Sequence, residues 1–312
     1  MTLVLFSAPD GDWEEYHEVL PQAIARAGID ATIVRDDDTP EPSEVDYIVY
    51  APSSRLKDFS AYTGLKAVLN LWAGVEAIAP NPTLTAPLAR MVDYGLTEGM
   101  VEWCVGHTLR HHLGMDQDIC RTDTKWEKHV PPLARDRRVT VLGLGALGMA
   151  VAEALAQLRF DVAGWSRTRK EIPSVVTFSG EDGLAAALAR SDILILLLPL
   201  TEATRDLMDR TRLGLLPRGA FIINPGRGPL IVDEDLIAAL DDGQVRHATL
   251  DVFREEPLPS DHPFWAHPAV TITPHIASDT RAASAAEVVA ENIRRGEAGE
   301  PFLHLVDRDA GY

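Results

Sequence analysis

Apolar residues fall in short runs that alternate with stretches of helical period along the whole chain. In the first half, the runs at 3–6, 32–34, 47–50 and 67–71 read as strands. Between the first two, residues 13–26 carry apolar positions at helical spacing, with Pro21 as the expected kink. A long helix is predicted at 97–113. The second half predicts strands at 139–142, 161–165, 193–198, 220–223, 249–252 and 270–272, and helices at 146–158, 183–190, 233–240 and 281–295. Strand and helix alternating in this way imply mostly parallel sheets covered on both faces. The polar segment 116–138, which contains Pro131-Pro132, breaks the rhythm and reads as a connection between units.

Length and charge narrow the picture. The chain of 312 residues is long enough for two domains, and 46% hydrophobic with 24% charged residues is an ordinary globular balance. Lys and Arg total 29 against 47 Asp and Glu, a net charge of -18. That balance argues against nucleic acid and against anionic lipid as main partners. No apolar run approaches the roughly 20 residues that span a bilayer. The opening MTLVLFSAPDGDW has no basic region and turns acidic at once, so a core strand rather than a secretory signal is expected there. Cys104 and Cys120 suit neither a disulfide framework nor a metal knuckle, and a cytoplasmic location is the plain expectation.

The most informative turn is Leu142-Gly143-Leu144-Gly145-Ala146-Leu147-Gly148, which follows an apolar run and opens an Ala- and Leu-rich helix. In that context Gly-x-Gly-x-x-Gly reads as a dinucleotide-binding turn. Gly143 would permit the turn, Gly145 would admit a pyrophosphate to the backbone, and Gly148 would let helix and strand pack closely. Amides at Ala146, Leu147 and Gly148 would meet the phosphates at the positive end of the helix. Where an NAD site would place an acid after the next strand, this chain has Ser166, Arg167, Arg169 and Lys170. An acid repels a 2′-phosphate and these residues can bind one, so NADPH is expected over NADH. Asp161 begins its strand, at the wrong end to replace the missing acid.

Three further segments follow predicted strands: Asn224-Pro225-Gly226-Arg227-Gly228-Pro229, Asp251-Val252-Phe253-Arg254-Glu255-Glu256-Pro257-Leu258-Pro259, and Thr273-Pro274-His275. Together with the glycine turn, in this order, they resemble the D-isomer-specific 2-hydroxyacid dehydrogenases over nearly the whole chain. Within that family the resemblance is to the bacterial glyoxylate/hydroxypyruvate reductase A group. It is carried by Trp165-Ser166-Arg167-x-Arg169-Lys170, Glu256-Pro-Leu-Pro with the later Trp265, and the ending Val306-Asp307-Arg308 with Gly311-Tyr312.

The resemblance implies two Rossmann/flavodoxin-like α/β domains with parallel sheets and an interdomain active-site cleft. Residues 1–98 plus 279–312 would form the substrate domain, and 99–278 the NAD(P)-binding domain. It places the catalytic Arg, Glu and His on Arg227, Glu256 and His275. Arg227 can orient a 2-ketoacid by its forked donors, and His275 can protonate the oxygen as hydride arrives. A paired carboxylate would hold the imidazolium. Glu255 could serve by chemistry alone, whereas the family pattern places the acid immediately before Pro. Asp251 resembles a position that helps hold the nicotinamide, or is a buried cap or salt-bridge partner. Pro199 and Asn224 resemble cofactor-lining positions, or simply end their strands. Trp72-Ala73-Gly74 resembles the family's glycine loop, whose amides bind the substrate carboxylate. Many relatives have Gly where Trp72 stands, and the indole either walls the pocket or anchors the core. Met100 and Trp103 are pocket neighbours or core.

The implied activity is NADPH-dependent reduction of small 2-ketoacids, glyoxylate and hydroxypyruvate first, by a homodimer without metal. The alternatives are an NADH-linked D-2-hydroxyacid dehydrogenase for bulkier acids such as phenylpyruvate or lactate, and a non-catalytic dinucleotide-sensing module.

Overall fold

A computed structural model describes residues 1–311; Tyr312, the last residue of the C-terminal resemblance, lies outside the described residues. The chain divides into two units, Met1–Leu96 with Asp279–Tyr312, and Thr97–Ser278.

The first unit contains β1 (Thr2–Ser7), α1 (Asp10–Tyr16), α2 (Val19–Arg26), β2 (Ala31–Arg35), β3 (Tyr47–Tyr50), β4 (Ala67–Asn70) and β5 (Leu88–Ala89). These strands form one wholly parallel sheet in the order β2-β1-β3-β4-β5. Successive residues serve opposite faces: Val4, Phe6, Tyr47 and Val49 join one core cluster, while Leu5, Ile48 and Tyr50 join the other. Both faces are therefore dry, which is why the strands read as unbroken apolar runs. The helix expected at 13–26 is two helices. Pro21 does not kink it: it sits in the first turn of α2, where its missing N–H has no helical partner to lose, and the break lies at residues 17–18.

The second unit begins within α3 (Tyr94–Leu113), which continues from the first unit. It runs on through α4 (Asp116–Ile119), β6 (Arg138–Leu142), α5 (Ala146–Gln157), β7 (Asp161–Trp165), β8 (Val176–Phe178), α6 (Gly180–Ala189) and β9 (Ile193–Leu196). Then come α7 (Arg210–Leu213), β10 (Ala220–Asn224), α8 (Asp233–Asp241), β11 (Val245–Leu250) and β12 (Val270–Ile272). Its parallel sheet has the order β12-β11-β10-β9-β6-β7-β8, so strand order reverses between β6 and β9. Such a switch point opens a crevice at the carboxyl ends of the two strands. Leu142, Leu194 and Ile222 pack on one face, and Val141, Ile195 and Ile223 on the other. Met100 lies buried with Cys104 in the latter cluster, and Trp103 packs against it.

The last helix, α9 (Ala282–Ala298), buries Ala285, Ala286, Val289, Ala290 and Ile293 in the first unit's core beside α2. Residues beyond it stay with the same unit. Arg308 donates to the carbonyls of Ala79, Asn81 and Leu84, so the C-terminal motif is a strap on the 79–84 turn. No helix among the described residues is long and apolar enough to cross a membrane, and no group of His, Cys, Asp and Glu among them could hold a metal ion.

Candidate active site

Every chemistry-bearing segment of the second unit leaves the sheet at its carboxyl edge. The sheet order puts the turns after β6, β7 and β9 on one side and those after β10, β11 and β12 on the other.

On the first side, Gly143 has φ 103°, a conformation that excludes most side chains. A Cβ on Gly148 would stand 1.8 Å from the Gly143 carbonyl oxygen, so helix and turn touch backbone to backbone. Gly145 is different: it is exposed, and a Cβ there would meet nothing within 4 Å. It opens α5 without a side-chain cap, leaving the amides of Ala146, Leu147 and Gly148 without helical acceptors. The turn is thus tight underneath and open above, with donors aimed outward, and it fits a pyrophosphate. Gly143 N–H donates to Trp165 O at 2.8 Å, which brings the end of β7 alongside. There Ser166 is buried and donates to Thr168 O at 2.7 Å, while Arg167, Arg169 and Lys170 are exposed. The fold supplies cations beside the turn and no carboxylate at the strand end. Asp161 lies at the opposite end of β7, paired with Arg190 at 2.6 Å. Pro199, half-buried, follows β9 at the switch point.

On the other side, Asn224 closes the turn after β10. Its amide donates to Arg227 O at 3.0 Å and its carbonyl accepts from Gly226 N–H at 3.1 Å. The glycines flanking Arg227 are there for packing rather than for ligand access. A Cβ on Gly228 would stand 2.0 Å from the Phe253 carbonyl carbon, and one on Gly226 would stand 2.7 Å from Leu196 O. The Arg227 turn therefore lies directly on the loop that carries Glu256.

Glu256 uses both oxygens. Oε1 accepts from Phe253 N–H at 2.8 Å, and Oε2 lies 2.8 Å from His275 Nδ1. The contact with His275 is made by Glu256 and not by Glu255, so the geometry chooses Glu256 as the partner. Burial pushes the Glu256 carboxyl up, but the bonds from His275 and Phe253 outweigh it and hold the group below its ordinary value. The bond to Glu256 raises the His275 pKa above the ordinary histidine value, against burial and the nearby Arg227 charge. Trp265 Nε1 donates to Pro259 O at 2.9 Å, so that element of the resemblance ties down the same loop.

Asp251, expected either to help hold the nicotinamide or to be a buried cap, is fully buried and caps backbone groups of its loop. Oδ1 accepts from Thr273 Oγ1 at 2.5 Å and Ile276 N–H at 2.9 Å, Oδ2 accepts from Ala277 N–H at 2.8 Å, and its carbonyl accepts from His275 N–H at 2.8 Å. The His275 turn, with φ 55° at His275 itself, is built around this carboxylate. Asn224 is buried and engaged within its own turn in the same way. Both side chains hold loops in place.

In the first unit, the loop after β4 carries Trp72, Ala73 and Gly74. Trp72 is 45% exposed, which removes the reading of it as a core anchor. Asn70, buried and marked by no motif, was missed from the sequence. Its amide donates to Trp72 O at 2.7 Å and Gly74 O at 3.0 Å, turning both carbonyls inward. Among the described residues, the N–H groups of 72–75 have no acceptor. Successive amides left without acceptors in a loop are available to an anion.

A family model described as D-isomer specific 2-hydroxyacid dehydrogenase, NAD binding domain, matches residues 104–277. Among solved structures, the chain is 40% identical to a D-isomer specific 2-hydroxyacid dehydrogenase from Xanthobacter autotrophicus Py2 in complex with NADPH and MES. The match covers 100% of this chain and 99% of that one, with a TM-score of 0.89. It is 34% identical to an NADPH-dependent glyoxylate/hydroxypyruvate reductase from Sinorhizobium meliloti in complex with NADP and sulfate, covering 100% of both chains with a TM-score of 0.87. A D-isomer specific 2-hydroxyacid dehydrogenase family protein from Klebsiella pneumoniae 342 matches at 34% identity over 99% of this chain and 98% of that one, with a TM-score of 0.83.

Proposed function

The chain belongs to the D-isomer specific 2-hydroxyacid dehydrogenase family, and from that premise we propose that it reduces small 2-ketoacids with NADPH, glyoxylate to glycolate and hydroxypyruvate to D-glycerate. The observation that carries the proton chemistry is the 2.8 Å contact between His275 Nδ1 and Glu256.

NADPH supplies the hydride when bound. Gly143, Gly145, Ala146, Leu147 and Gly148 hold its pyrophosphate, and Ser166, Arg167, Arg169 and Lys170 hold its 2′-phosphate. The amides at Trp72, Ala73 and Gly74 receive the substrate carboxylate. Arg227 polarises the ketone oxygen and grips the acid by its forked donors. Glu256 occupies Nδ1 of His275, so Nε2 is the atom that delivers the proton. The ketone carbon gains a hydride, its oxygen gains the His275 proton, and the product is the 2-hydroxyacid. Developing negative charge on the oxygen meets two cations, Arg227 and imidazolium, and this lowers the barrier. In the reverse direction neutral His275 is the base.

A homodimer is part of this reading. It is supported by large apolar side chains left exposed in the connection after α4, at Trp126, Val130 and Leu133. Light scattering checks it.

The test is NADPH oxidation with a panel of 2-ketoacids. Turnover with glyoxylate and hydroxypyruvate is expected. Preference for phenylpyruvate with NADH would replace this substrate assignment. A folded, cofactor-binding protein silent across the panel would leave a dinucleotide sensor instead.

A further inference from the structure

Arg90 follows β5, the edge strand of the first unit, at the same end of the sheet as the loop 72–75. β5 pairs in parallel with β4, and the next residue, Met91, donates its N–H to Trp72 O at 3.1 Å. The Arg90 backbone N–H is spent on His304 O at 3.0 Å. Its guanidinium is half-buried, yet it donates no hydrogen bond and makes no ion pair to any described residue.

Two groups lie within its electrostatic reach. Glu76, two residues beyond Gly74, attracts it. His304 is pushed below the ordinary histidine value by burial and by Arg90 itself, and so is neutral at neutral pH. Burial also pulls the Arg90 pKa down, but a guanidinium remains charged in water near neutrality. Five donors drawn partly out of water with no acceptor are costly unless a ligand uses them. At the same end of the sheet, the amides of 72–75 also lack acceptors among the described residues. One anion satisfies both.

We propose that Arg90 is a substrate-recognition residue of the first unit, its guanidinium taking the carboxylate of the 2-ketoacid together with the amides of the 72–75 loop. This rests on the 2-ketoacid reading of the preceding section. Arg supplies a planar fork matched to a carboxylate, whereas Lys supplies only a point charge.

The test uses Arg90→Gln and Arg90→Lys in the full chain. KM for glyoxylate with NADPH is measured alongside protection against thermal unfolding by oxalate, a carboxylate probe that needs no turnover. Arg90→Gln is expected to weaken both about 10- to 100-fold, the loss of charge-assisted bonds, with kcat changed little. Arg90→Lys should recover part of the loss. If Arg90→Gln unfolds, Arg90→Lys alone decides: oxalate binding equal to wild type overturns the proposal. A lower melting temperature with unchanged KM and oxalate affinity makes Arg90 structural and overturns it too. If wild type reduces no ketoacid while oxalate protects it and not Arg90→Gln, the anion site stands and the activity assignment fails. If wild type reduces glyoxylate and Arg90→Gln does so with the same KM, the Arg90 proposal fails alone.

Discussion

Replacing Glu256 by Gln removes one charge while keeping the size of the side chain and an oxygen for Phe253 N–H. The contact it changes is the 2.8 Å approach of Oε2 to His275 Nδ1. Hydrogen bonds to charged groups contribute about 1.5–3 kcal/mol. Here the two side chains are 51% and 35% exposed, and solvent screening places this pair at the lower end. About 1.5 kcal/mol corresponds to about one pKa unit. The sign follows from which form is stabilised. The carboxylate favours imidazolium, so the raised His275 pKa must fall when it goes. Reduction needs protonated His275, and kcat/KM therefore declines as pH rises through that pKa. In Glu256→Gln the decline should begin about one unit lower. Activity should be about tenfold lower on the alkaline limb and nearly unchanged on the acid plateau. The assay is kcat/KM for glyoxylate with saturating NADPH across pH, followed by the loss of NADPH absorbance. An apparent pKa that stays in place, or moves upward, refutes the reasoning.

The glycines make opposite predictions although they look alike in sequence. Gly145→Ala should keep its melting temperature, since a Cβ there meets nothing within 4 Å, but should bind NADPH more weakly in a fluorescence titration. Gly228→Ala should be destabilised by about 1–3 kcal/mol in denaturant unfolding, because its Cβ would overlap the Phe253 backbone. Asp251→Asn presents an amide donor where a carboxylate accepts three bonds, so a buried group goes unsatisfied; about 1–3 kcal/mol of stability and most of kcat should be lost together. Arg167→Asp should invert or erase the preference for NADPH over NADH in kcat/KM, and an unchanged ratio would sink the 2′-phosphate assignment.

What could be read from the sequence was the chemistry carried by contiguous motifs. Gly143 to Gly148, Arg227, Glu256 and His275 stand at strand ends, and parallel strands bring those ends to one edge of one sheet. What could not be read was the set of residues that aim them. Asn70 acts by side-chain bonds to backbone groups of a loop whose path no pattern encodes, whereas Asp251 takes the buried-cap role that the sequence offers as one of its readings. The glycines beside Arg227 serve backbone contact with Phe253 and Leu196, a use that no local pattern shows. β5 and β8 escaped notice because two and three residues are too few to show a period. β11 spans Val245–Leu250 and so begins before the apolar run at 249–252, because Arg246 and His247 interrupt its apolar pattern. Under the proposed function the charge of -18 is compatible with anionic ligands because recognition would be local, through the amides of 72–75, those opening α5, and a few arginines.

The most direct test of the central claim compares wild type with His275→Ala in one experiment, glyoxylate reduction by NADPH beside NADPH binding. The account predicts turnover in wild type, turnover reduced at least about a hundredfold in His275→Ala, and the same NADPH affinity in both. Undiminished reduction by His275→Ala would contradict it.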